Sequence, residues 1–94
     1  MTTLHIEHPI ADFDLWKAAF TRMAPARAQS GVRAYRVHRP LDDPRYVLID
    51  LDFDSPAEAQ GFLQFLQANV WASRDSSPAL AGKPQTRLLD RAEI

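Results

Sequence analysis

The chain has no cysteine, which excludes a disulfide framework and any thiolate metal site and fits a reducing compartment. It also lacks an excess of charge: 11 Lys and Arg stand against 12 Asp and Glu, for a formal net charge of -1. So weak a field draws in neither nucleic acid nor an anionic membrane, and neither is expected as a partner. No stretch comes near the roughly 18 apolar residues of a membrane span. The opening MTTLHIEHPI has neither the basic region nor the apolar run of a signal peptide. The expectation is a soluble, unprocessed, cytoplasmic protein. Glycine is scarce at three residues, and none falls in HPIAD, the first strand-to-helix turn. That turn cannot be a glycine-rich phosphate cradle, and no cofactor is expected.

What is present is periodicity. A chain of 94 residues is expected to be one domain spanning 1–94, and at this size it buries only about 60 to 65% of its unfolded surface, so a partner subunit would help. The most informative stretch is residues 42–66, DDPRYVLIDLDFDSPAEAQGFLQFL. Val47, Ile49, Leu51 and Phe53 alternate with Tyr46, Leu48, Asp50, Asp52 and Asp54, which gives a strand one apolar and one acidic face. Ser55-Pro56-Ala57-Glu58 then supplies a serine cap, proline at the first helical position and a glutamate three residues after the serine. The helix that follows carries Ala59, Phe62, Leu63, Leu66 and Val70 on one stripe.

The rest of the chain arranges itself around this unit. Residues 3–8 alternate Leu4 and Ile6 with His5 and Glu7, a short first strand that Pro9 should end. Asp12 can cap a helix whose Phe13, Trp16, Ala19, Phe20 and Met23 share a face. Pro25 breaks or restarts that helix, Gly31 closes it, and helical phase returns Arg27 to the apolar stripe. Residues 32–39 form the second strand, joined to the third as a hairpin through PLDDP. With residues 40–44 as the loop, Val37 faces Val47 and Tyr35 faces Ile49, while His38 faces Tyr46, Arg36 faces Leu48 and Ala34 faces Asp50. Residues 71–82 read as irregular up to Ser77-Pro78, which can start one helical turn ended by Gly82. Residues 85–94 read as a last strand.

The order β-α-β-β-α-β predicts a ferredoxin-like α+β fold: a four-stranded antiparallel sheet with two helices on one face. The segments ADFDLWKAAF, APARAQSG, HRPLDDPRYVLIDLDFDSPAEAQGF and AGKPQTRLL together resemble the dimeric α/β-barrel proteins, and within them the antibiotic-biosynthesis-monooxygenase-like or cyclase-like members. The resemblance runs nearly end to end and rests on packing and turn features. It implies a homodimer in which two sheets pack into a barrel, with a pocket between helices and sheet in each subunit.

Several side chains invite a chemical reading. His5 and His8 are an odd number of residues apart, so on one strand they point to opposite faces and cannot share a metal. With His38 they read as surface or interface histidines. Asp50, Asp52 and Asp54 resemble an acid cluster, but Arg36 stands ready to neutralise one of them, and a face of ion pairs is the plainer reading. No metal site is expected. RNA-recognition modules share the topology but place aromatics where RYVLIDLDF places aspartates, which repel phosphate.

The remaining candidates are Trp16, Phe20, Arg27, Tyr35, Phe62 and Trp71. The aromatics are a core signal first, yet two helices diverging over a twisted sheet leave a gap that they would wall, with Arg27 and Tyr35 as polar contacts for a small apolar or aromatic ligand. Trp71 lies after the second long helix, where the resemblance implies pocket residues including a tryptophan. Two functions follow. One is a cofactor-independent monooxygenase or cyclase acting on a small aromatic or polyketide-like molecule, which rests on the resemblance. The other is a non-catalytic dimeric ligand-binding or accessory domain, favoured because the sequence shows no activated nucleophile and no paired acid and base.

Overall fold

Alternating burial decides the sheet. The computed structural model describes all of residues 1–94, and its two central strands, β1 (Thr2–Pro9) and β3 (Tyr46–Phe53), turn every second residue inward over eight positions. They are joined by α1 (Phe13–Arg22), α2 (Ala24–Gln29) and β2 (Ala34–His38). After β3 come α3 (Pro56–Phe65), a π-helical turn at Leu66–Val70 and β4 (Gln85–Asp90). The strand order is β2-β3-β1-β4 with every neighbour antiparallel. The helices cover one face, and the fold is ferredoxin-like α+β. No helix is long and apolar enough to cross a membrane.

The helices start and stop where their capping residues act. The Asp12 carboxylate accepts from the Leu15 N–H at 2.9 Å, and Ser55 Oγ accepts from the Glu58 N–H at 3.3 Å. Pro25 restarts the helix, so α1 and α2 are separate pieces, and Arg27 is turned inward. Gly31, at φ 96°, ends α2 in the left-handed conformation that glycine adopts without strain. The core gathers Leu4, Ile6, Val47, Ile49, Leu51 and Phe53 from the sheet beneath Trp16, Ala59, Phe62, Leu66 and Val70 from the helices.

Several expectations are corrected. Pro9 does not end pairing: it lies opposite Tyr46, because a proline at the end of a strand gives up only its own donor. The hairpin register differs by two residues. Val37 lies opposite Ile49, Tyr35 opposite Leu51, Arg36 opposite Asp50 and His38 opposite Leu48. The loop is longer at its β3 end, where the Arg45 N–H donates to the Asp43 carboxylate at 2.9 Å and the Arg45 carbonyl takes the Ile10 N–H at 2.8 Å. A slip of two leaves every side chain on its expected face. The second strand is correspondingly short, and the last strand stops at Asp90. Ser77-Pro78 starts no helix: the Leu80 N–H closes a tight turn on the Ser77 carbonyl at 3.2 Å, and Leu80 then bridges to Ile10. Past Phe65 the long helix widens into the π turn, with the Trp71 N–H reaching back five residues to the Leu66 carbonyl at 2.7 Å.

Candidate functional site

A cavity lies between the helices and the inner face of the sheet. Its floor is Ile6 and His8 of β1 with Ile49 and Leu51 of β3. Its walls are Trp16, Phe20 and Met23 of α1, Arg27 of α2, and Phe62, Leu66 and Val70 of α3 and the π turn. Trp71, Ser76, Ser77, Ala79 and Leu80 form its rim. Its empty space, counted out into the solvent at its mouth, is about 650 Å³, and the volume open to the centres of water-sized molecules is about 80 Å³. An engineered apolar cavity of roughly 150 Å³ holds one benzene. A fused-ring molecule therefore fits here only if it fills the mouth and displaces the rim.

The aromatic wall follows from helical spacing. Trp16 stacks on Phe20 with ring centroids 4.9 Å apart and meets Phe13 at 5.8 Å, the offset arrangement that ring quadrupoles favour. The rim is stitched to the end of β1: the Ala11 N–H donates to the Ala79 carbonyl at 2.8 Å, and the Ala81 N–H to the Pro9 carbonyl at 3.3 Å. Within the rim, Ser77 Oγ lies 2.8 Å from both the Val70 and the Ser73 carbonyls, so its proton is used locally.

Arg27 is only 7% exposed. Its Nη1 donates to the Phe20 carbonyl, which also takes the Met23 N–H at the end of α1. Its guanidinium carbon sits 3.7 Å above the centre of the Phe20 ring. The ion pairs of the molecule involve His5, Arg33 and Arg36, and none involves Arg27. Burial lowers its pKa from the ordinary value while the Tyr35 hydroxyl acts in the opposite direction, and a guanidinium stays charged throughout. A buried cation without an acid partner is costly unless an anion or water meets it.

His8 is the residue that sequence reasoning missed. It is 3% exposed and lines the floor, not the surface. Its Nδ1 lies 2.9 Å from the Pro9 carbonyl, and since a carbonyl can only accept, Nδ1 carries the proton. Burial pushes its pKa below the usual histidine value, against a smaller upward pull from that bond. The signal was present in the pattern: His8 shares the parity of Leu4 and Ile6, the dry face of β1.

Of the six candidates, Trp16, Phe20, Arg27, Phe62 and Trp71 line this one cavity. Tyr35 stands apart, 55% exposed, edge-on to Phe20 at 5.3 Å and behind Arg27. Asp50 and Asp52 are on the far side of the sheet, Asp54 follows β3, and all three are partnered. Asp50 bonds His5 at 2.7 Å, Asp52 pairs with Arg36 at 2.9 and 3.0 Å, and Asp54 accepts from Arg33 at 2.9 Å. The Arg36 bond, with help from Thr3, holds the Asp52 carboxyl below its ordinary pKa against the opposing effect of burial.

No family model matches the chain, and no curated protein matches it in sequence. Solved structures do. SnoaB, a cofactor-independent oxygenase from Streptomyces nogalater, superposes with a TM-score of 0.70 at 14% identity, over 99% of this chain and 94% of that one. An antibiotic biosynthesis monooxygenase superposes at 0.69 and 11% identity, over 99% and 100%. A dimeric ferredoxin-like protein from an uncultured marine organism superposes at 0.67 and 12% identity, over 99% and 97%. At such identities the likeness is one of fold: the chain is a ferredoxin-like α+β protein on the frame shared by antibiotic-biosynthesis-monooxygenase-like proteins.

Proposed function

We propose that the chain is a homodimer that binds a small aromatic or polyketide-like molecule in the helix-sheet cavity and oxidises it with dioxygen, without a cofactor. The observation that carries this reading is Arg27, a buried cation with no acid partner on the wall of a mainly apolar, aromatic cavity. An oxyanion on a flat ligand supplies the missing charge while its rings lie against Trp16 and Phe20. Once a phenol or anthrone has lost its proton it is electron-rich enough to reduce dioxygen directly, and the cavity's part is to hold that anion dry and beside a cation. The likeness to a cofactor-independent oxygenase supports the reaction class, and the likeness to a dimeric protein supports the assembly. The sheet face away from the helices, which carries Leu48 and Tyr46, is the surface through which two copies pack.

The test is dioxygen uptake with anthrone and quinol substrates, alongside binding measured by quenching of Trp16 and Trp71 fluorescence. Wild-type protein should bind anthrone and consume dioxygen. Arg27→Met should weaken binding by about ten- to a hundredfold, the value of a hydrogen bond to a charged group. Absence of both binding and uptake would defeat the proposal. A second reading, a non-catalytic ligand-binding domain, is favoured by the cavity wall offering one histidine and no acid side chain. Binding without any dioxygen uptake would select it.

A further inference from the structure

The cavity holds one titratable group that the reading above leaves idle. The Nδ1–H of His8 is committed to the Pro9 carbonyl, and that same carbonyl takes the Ala81 N–H of the rim, so ring and rim are anchored at one point. Nε2 therefore carries the lone pair of a neutral imidazole and has no partner in the protein. Since no fully buried polar side-chain atom is left without a bond, Nε2 is open to the space that His8 lines.

We propose that His8 is the general base of this cavity, its Nε2 taking the proton from an acidic O–H or C–H of a phenol-, anthrone- or 1,3-dicarbonyl-type ligand. The ligand's O–H or C–H bond breaks, and its electron pair stays behind as a delocalised oxyanion. The proton forms the Nε2–H bond of an imidazolium, whose Nδ1–H bond to Pro9 strengthens as charge develops. Arg27 meets the oxyanion. The proton step requires no oxidant; dioxygen enters only afterwards, and for that sequel the inference rests on the oxygenase reading. Arg27 is the only other titratable group on the cavity wall. On β3 Val47 lies opposite His8, and Ile49, Phe62, Leu66 and Val70 line the same cavity. Glu7, Asp50 and the His5 that they hold lie on the opposite sheet face. The ligand class follows from this poverty: with one neutral imidazole and one cation, the site can ionise only a group already acidified by an adjacent aryl or carbonyl.

The experiment uses the intact protein with ¹⁵N-labelled histidine and para-nitrophenol as the probe, whose anion is coloured. Free His8 should show the Nδ1–H neutral tautomer. Saturating para-nitrophenol should convert it to imidazolium while the bound probe becomes yellow below the pH at which the free probe ionises. Failure of the probe to bind, or binding with His8 still neutral, overturns the proposal. Anthrone oxidation separates the two readings. H8Q should lower kcat by about a hundredfold or more with KM nearly unchanged, and should abolish the acid limb of the pH profile. Equal turnover by H8Q and wild type overturns the general base and leaves the oxygenase standing. Proton capture from para-nitrophenol without any dioxygen uptake supports the base and defeats the oxygenase.

Discussion

His5 and His8 are three residues apart on one strand and live in opposite chemical worlds. His5, on the outer face, is bracketed by Asp50 at 2.7 Å and Glu7 at 2.8 Å. Burial works against its cation, but those hydrogen bonds outweigh it and raise its pKa. His8, on the inner face, meets only a carbonyl and apolar walls, and burial lowers its pKa. The same contrast runs across the whole sheet. The inner face is apolar and holds the cavity, whereas the outer face is a lattice of paired charges that includes Tyr46 donating to Glu7 at 2.8 Å. A strand assigns its side chains to faces by parity alone, so one odd step in sequence moves a histidine from between two carboxylates to a buried place with only a carbonyl partner.

The two faces should respond differently to damage. Phe53→Ala empties a fully buried inner position packed against Phe62 and should cost about 3–5 kcal/mol in a urea melt. Leu89→Ala, on the outer face opposite Thr3, should cost the isolated subunit less than about 0.5 kcal/mol. If the outer face is the dimer surface, Leu48→Asp should yield monomers by light scattering at micromolar concentration while the circular dichroism of the subunit is kept. A wild-type monomer under those conditions would remove the dimer altogether. Ser55→Ala, which touches neither face, sets the scale at about 1 kcal/mol.

The subtlest difference is in pH. His8 has a lowered folded pKa, so its contribution is intact above about pH 6.5 and is lost as pH falls through the folded value. His5 has a raised folded pKa, so its contribution is complete below about pH 6.5 and is lost as pH rises through the folded value. Melts across this range should therefore lose their acid limb in His8→Gln and their alkaline limb in His5→Gln. Identical profiles for the two variants would erase the distinction between the faces.

Much of this was legible in the sequence because it is local. Alternation placed Val47, Ile49, Leu51 and Phe53 inward, SPAE opened α3 at Ser55, and Pro25 with Gly31 bounded α2. The hairpin register was not legible. Registers two residues apart put the same side chains on the same faces, so the alternation cannot tell them apart, and the choice goes with the loop, where the Asp43 carboxylate takes the Arg45 N–H. His8 was half legible: its parity stood in the pattern, but a histidine at a strand end is usually wet, and only its neighbours in space make it dry.

By itself, then, the sequence determined which side of each central strand turns inward and where α1, α2 and α3 begin, since periodicity and capping act within a few residues. Only the tertiary structure decided that Arg27 finds no acid, that Tyr35 stands outside the cavity, and that the rim of residues 71–80 closes over His8. Those outcomes are set by which distant segments converge on one volume, and no local pattern carries that information.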